Sequence, residues 1–198
     1  MRLRTMMVLV ALGACSLLGT AQMDMGAAGK PAASTMTEPA KALDDMLTLF
    51  ESEVMGAVKA MPAEKYSFAP SAAIFAVGSP EKFDTVRTFG QQVAHVAQAN
   101  YFFYSKVSGT KPDVDLEAVG KITTKDEAVG ALAGSIAFGH KAIATITAAN
   151  AFETIKGADG MNTRATLAAF GVAHGYDHYG QMVEYLRMNG IIPPASAK

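Results

Sequence analysis

The stretch AHGYDHYGQMVEYLRMNG, residues 173–190, spaces its apolar and histidine positions three and four apart and stops at Asn189-Gly190. That is the pattern of an amphipathic helix running to a C-terminal stop. Projected at about 100° per residue, Leu167, Phe170, His174, His178, Gln181, Tyr185 and Met188 fall within about 40° of one line. His174 and His178, two of only four histidines, therefore lie one turn apart in the stripe expected to face inward. An imidazole buried without a partner costs roughly 1–3 kcal/mol. Either hydrogen bonds within a core or crevice, or a shared divalent cation, must supply those partners.

Working outward, the same spacing predicts three more helices and no strand. The first runs from about Glu38 to Met61 on Leu43, Met46, Leu47, Phe50, Val54, Ala57 and Val58, and Pro62 ends it. The second is expected to open at Ser79-Pro80-Glu81 and to run to Gly109. The third starts at Thr124, with Glu127 completing a capping box, and continues to about Ile155 before a turn at Gly157–Gly160. The fourth begins near Asn162-Thr163. Four amphipathic helices, each with one stripe to bury, predict an all-α four-helix bundle spanning residues 37–194. The connectors 62–78 and 108–123 are long; Tyr66, Phe68, Ile74 and Phe75 make the first apolar enough to pack over a bundle end.

Ahead of the bundle, MRLRTMMVLVALGACSLLGTAQ combines Arg2 and Arg4 with an apolar run and small residues around Thr20. Residues 1–22 are expected to be an export signal cut near Ala21. The run is too short for a bilayer, which needs about 20 residues, so no stable membrane span is expected. Lipidation at Cys15 is the alternative processing. Residues 23–36, rich in small and polar side chains, read as a flexible spacer. Cys15 is the chain's one cysteine, so cleavage would leave a periplasmic or extracellular protein with no disulfide, thiolate or cysteine metal ligand. Cleavage removes two of the 17 basic residues and none of the 18 acidic ones, leaving a charge of −3 that gives no reason to bind nucleic acid.

A third ligand is needed to turn His174 and His178 into a centre. His95 lies midway along the second helix, beside the apolar stripe Val86, Phe89, Val93, Val96, Phe103 and Val107. Thr88, Gln91, Gln92, Gln98 and Phe102 flank it at helical spacing, which suits a crevice open to a small molecule. His140, near the line of Val129, Ile136 and Ile143, is an additional candidate. Its competing role is a half-buried histidine bonded to a neighbouring carbonyl.

VRTFGQQVAHVAQANYFFYSKVSG and HGYDHYGQMVEYLRMNGIIPPAS together resemble the DinB/YfiT-like superfamily. The shared features are one histidine in the second helix, here His95, and a His-x-x-x-His-x-Gly-Gln pattern, here His174, His178, Gly180 and Gln181. A Tyr-x-Phe-x-Pro turn at Tyr66, Phe68 and Pro70 adds to them. The resemblance implies an up-down-down-up bundle, often a homodimer, whose three histidines hold zinc, nickel, iron or manganese. Some relatives use low-molecular-weight thiols as cosubstrates, and others carry only a general hydrolase label.

Three neutral imidazoles leave coordination positions open, as in catalytic rather than structural sites. Gln181 is placed to orient a ligand or water, and Asp177 to accept an imidazole N–H. Tyr185 reads as core. Gly171, Gly175 and Gly180 each weaken the helix by up to about 1 kcal/mol, so close approach of a neighbouring helix or subunit is expected to compensate. No serine-histidine-acid order, phosphate loop or His-Glu-x-x-His motif is present. The expected function is a metal-dependent hydrolase or transferase acting on a small molecule, thiol transfer being disfavoured by export. The alternative is a non-catalytic metal- or ligand-binding bundle.

Overall fold

Proline has no N–H to forfeit at a helix start, and Pro39 opens α1 (Pro39–Ala60). The computed structural model describes residues 35–197 except 72, 73, 75 and 81. The expected export signal, Cys15, nearly all of the spacer and Phe75 lie outside the described residues. Beyond α1 come α2 (Phe89–Ser108), α3 (Leu116–Gly120), α4 (Lys125–Ile143), strands β1 (Thr154–Ala158) and β2 (Met161–Thr163), and α5 (Arg164–Met188). Among the described residues no helix is long and apolar enough to cross a membrane.

Side-chain pairs along α1, α2, α4 and α5 set their directions. His140 on α4 meets Asp44 on α1, and Lys125 at the other end of α4 donates to the carbonyls of Lys59 and Met61, so these helices are antiparallel. The Lys125 ammonium also caps the negative end of the α1 dipole. A Cβ at Gly175 on α5 would meet Phe50 on α1, and Pro194 beyond α5 lies at Gly56, so α1 and α5 are parallel. Asn100 donates to Ser135 and Tyr104 abuts Gly139, making α2 and α4 parallel. Gln92 reaches Gln181 while Tyr104 reaches Gly171, making α2 and α5 antiparallel. In chain order the bundle is up-down-down-up, as expected. Leu47, Phe50, Val54, Phe89, Val93, Tyr104, Leu132, Ile136, Leu167 and Leu186 fill its interior with no exposed surface.

Several boundaries differ from the sequence expectation. The second long helix begins at Phe89, not at Ser79-Pro80-Glu81, because Thr88 and Gln91 form a reciprocal capping box there. The N–H groups of Phe89 and Gly90, orphaned at a helix start, donate to the carbonyls of Phe68 and Tyr66 at 2.8 Å. The first connector thus packs in part: Tyr66 is buried with its hydroxyl donating to Val58 O at 2.6 Å, and Phe68 meets Tyr185 edge-on. Ile74 does not pack and stays 55% exposed. At Thr124 the pairing with Glu127 is between side chains, at 2.5 Å, and no backbone N–H is capped by the hydroxyl.

The third long helix stops at Ile143 rather than near Ile155. Residues 154–163 instead form an antiparallel hairpin turned by Asp159-Gly160, both at positive φ (50° and 80°), as the tight turns that match strand twist require. Gly157 marks the irregular register within it, where a Cβ would collide with the carbonyl of Met161. The second connector also holds structure of its own: Asp115 caps α3 by accepting from the N–H groups of Glu117 and Ala118. Met46 and Met188, assigned to inward stripes, are each 46% exposed: Met188 is the last residue of α5, and on α1 the core position beside Met46 is taken by the fully buried Leu47.

Candidate metal centre

His95 projects from the middle of α2, and His174 and His178 from successive turns of α5, where the two antiparallel helices pass each other. Ring centroids stand 4.7 Å apart for His95–His178 and His174–His178 and 5.2 Å for His95–His174. One nitrogen of each ring lies within 4.8 Å of the others. Four-coordinate zinc, with bonds of about 2.0–2.1 Å, sets its ligand nitrogens about 3.3 Å apart. Drawing the rings together by roughly an ångström or more would close such a shell, a shift within reach of χ rotation.

The close approach of α5 to α2 and to α1 depends on glycine. Gly171 leaves room for Tyr104, and a Cβ at Gly175 would fall 2.5 Å from the Phe50 ring, which is fully buried. At Gly180 no neighbouring helix makes the close approach expected there, since nothing lies within 4 Å of its absent Cβ among the described residues.

His178 is 6% exposed and is held by a residue that sequence reading noted only as a neighbour of His95. Gln92, itself 2% exposed, places its carbonyl oxygen 2.7 Å from His178 Nδ1 while its amide nitrogen donates to Gln181 Oε1 at 2.7 Å. With that amide orientation Oε1 faces the ring, so His178 Nδ1 carries the proton and donates. Nε2 is then the free lone pair, the tautomer control that metal-bound histidines receive from their outer partners. Gln181 orients Gln92, and so acts on the ring through it.

Asp177 does not accept from an imidazole. Its carboxylate stands 3.4 Å from the Gln181 amide nitrogen, and the residue is exposed. His140 stands apart from the three rings: it faces α1, with Nδ1 2.5 Å from Asp44 and Nε2 3.3 Å from Glu51, and is no additional ligand. Its partners are carboxylates rather than the backbone carbonyl anticipated. Burial disfavours its charge, but the Asp44 and then Glu51 contacts outweigh that and raise its pKa.

The three clustered rings are pushed the other way. Burial, then the charges of Arg87, His178 and His174, lower His95 to about 4. His178 falls to about 4 through burial, His174 and Arg87, against an opposing pull from Asp177. Burial also lowers His174, although Asp177 and Asp159 resist. All three are therefore neutral at pH 7, the form that coordinates metal without first losing a proton. His174 Nδ1 is moreover buried with no hydrogen-bond partner, an unsatisfied group of the kind native structures seldom retain. The donor set and this orphaned nitrogen both fit a divalent cation.

The model of the DinB superfamily matches residues 46–182. The chain belongs to the DinB superfamily. Among curated proteins none matches it. The matched span of this DinB-superfamily chain contains all three clustered histidines, Gln92 and Gln181, together with the two clefts that reach the rings. One cleft, of about 510 Å³, runs over Phe102, Phe103 and Phe170 to His95 and His174, walled by Leu116 of α3 and Asp159 of the hairpin. The other, of about 390 Å³, is lined by Asp84, Arg87, Gln91, Gln98 and His95. Structure that the sequence reading did not foresee, α3 and the β1–β2 turn, therefore forms walls of the site.

Proposed function

We propose that this DinB-superfamily protein is exported and binds one divalent cation through His95, His174 and His178, using it to hydrolyse or transfer a group on a small molecule. The observation that carries the reading is the convergence of three imidazole nitrogens within 4.8 Å of one another beside a cleft of about 510 Å³. When bound, the cation supplies Lewis acidity, polarising a substrate oxygen or lowering the pKa of water or a thiol. The chain's own contributions are more specific. His178 is fixed by Gln92, and Gln92 by Gln181, so the ring offers Nε2 without a search among tautomers. Phe103 and Phe170 contact the His174 ring at centroid distances of 5.4 and 6.2 Å and give that side of the centre an apolar wall.

A binding-only role is the second reading. It draws on one observation: among the described residues no carboxylate is hydrogen-bonded to any of the three rings, so no general base is joined to the centre through them.

The test is a screen of ester, amide and thiol substrates with zinc-, nickel-, iron- and manganese-loaded protein. Turnover that vanishes on chelation and in His95→Ala supports the enzyme. Stoichiometric metal with no turnover supports binding alone, and turnover indifferent to chelator contradicts the proposal. Export is tested separately by N-terminal sequencing of protein recovered outside the cytoplasm, where cleavage after Ala21 is the expected result.

A further inference from the structure

The two clefts share His95 and Gln98 in their linings and differ in chemistry. One is aromatic: Phe103 and Phe170 pack edge-to-face at 5.3 Å, and Phe102 is 42% exposed. The other is polar and contains Arg87. Among the described residues no carboxylate pairs with the Arg87 guanidinium, although Asp84 lines the same cleft. The Tyr185 hydroxyl donates to the Arg87 carbonyl at 3.2 Å, which ties the arginine's backbone to α5 beside the centre. A second cation, Lys106, lies over the Phe102 ring 4.8 Å from its centroid.

A guanidinium beside a crevice, with no carboxylate partner among the described residues, is suited to planar anionic oxygens, which it can bind in bidentate fashion. Asp84 and Asp159 reach the cleft walls; Arg87 is the cation placed to meet an anionic group, and a divalent cation at the rings would add to its pull. A cleft of about 510 Å³ lies within the range for small-molecule sites, and aromatic walls favour a flat apolar body.

We propose that the ligand of this centre is an amphipathic anion, its apolar body seated against Phe102, Phe103 and Phe170 and its carboxylate or phosphate directed to Arg87. The assignment builds on the metal-centre reading, which supplies the third point of attachment.

The probes are 4-phenylbutyrate, 3-phenylpropyl phosphate and the neutral 4-phenylbutan-1-ol, with affinities measured by chemical-shift titration on protein with and without zinc. At least one anion should bind more tightly than the alcohol, and the tighter of the two identifies the anionic group. In Arg87→Gln the anion-to-alcohol ratio should fall by about fivefold in both metal states, the scale of a solvent-accessible ion pair. Lys41→Gln, far along α1 from the clefts, should leave that ratio alone, and Phe102→Ser should weaken all three probes together. An unchanged ratio in Arg87→Gln, equal loss in Lys41→Gln, or no probe binding at millimolar concentration overturns the proposal. A parallel titration with zinc alone separates the two ideas. Anion preference without zinc binding sinks the metal centre only, and zinc binding without anion preference sinks the ligand assignment only.

Discussion

Replacing Gln92 by methionine would keep much of its volume while removing the acceptor for His178 Nδ1–H and the donor to Gln181. Gln92 is 2% exposed and His178 6%, so water has no easy route to either group. A buried N–H left unpaired costs about 1–3 kcal/mol, and loss of an outer partner of a metal-bound histidine lowers affinity about 10–100-fold. We expect Gln92→Met to bind zinc at least tenfold more weakly than the parent in a chelator competition. Imidazole nitrogen shifts of the metal-free protein should show His178 as the Nδ1–H tautomer in the parent and as a mixture in the variant. Gln92→Glu retains an acceptor at the same position and should preserve both the tautomer and most of the affinity. If Gln92→Met matched the parent within twofold and kept the same tautomer, the inferred role of Gln92 would be refuted.

Other outcomes follow from packing, capping and charge. Gly175→Ala gains up to about 1 kcal/mol in helix propensity but forces a Cβ against the buried Phe50 ring, a clash costing about 1–3 kcal/mol, so denaturant titration should show net loss. Gly180→Ala meets nothing within 4 Å and should be neutral or stabilising by up to about 1 kcal/mol; a loss matching that of Gly175→Ala would contradict the packing described. Thr88→Ala removes the α2 cap and should cost about 1 kcal/mol, whereas Ser79→Ala should cost little if the helix starts at Phe89. Asp44 and Glu51 raise the pKa of His140, so its stabilising contribution is complete below its ordinary value and is lost as pH rises through the folded one. The stability gap between the parent and His140→Gln should therefore shrink from pH 5.5 to pH 9, and a widening gap would reverse the assigned sign.

Periodicity carried the bundle because the buried stripes of α1, α2 and α5 are long, and burial against neighbouring helices enforces their spacing. The same logic brought His95, His174 and His178 toward one crevice. Helical projection gives a direction but not a partner, which is why Gln92 passed as a neighbour of His95 and Asp177 was credited with a contact it does not make. His140 shows the same limit: its inward direction was legible, yet the residues awaiting it, Asp44 and Glu51, lie about 90 positions away on α1. The hairpin had a local signal in Asp159-Gly160, but strands of five and three residues are too short for alternation to compete with the helical pattern before them. The start of α2 was misplaced because Ser79-Pro80 resembles a cap and drew attention from the equally local Thr88–Gln91 capping box, which the carbonyls of Tyr66 and Phe68 in the preceding connector reinforce.

The most direct measurement is zinc stoichiometry and affinity of the purified protein beside His95→Ala, His174→Ala and His178→Ala, with folding of each checked by circular dichroism. One ion per chain in the parent, and a drop of at least tenfold in affinity for each folded variant, is the predicted result. Substoichiometric zinc in the parent, or binding that survives loss of any one ring undiminished, would contradict a shared three-histidine centre.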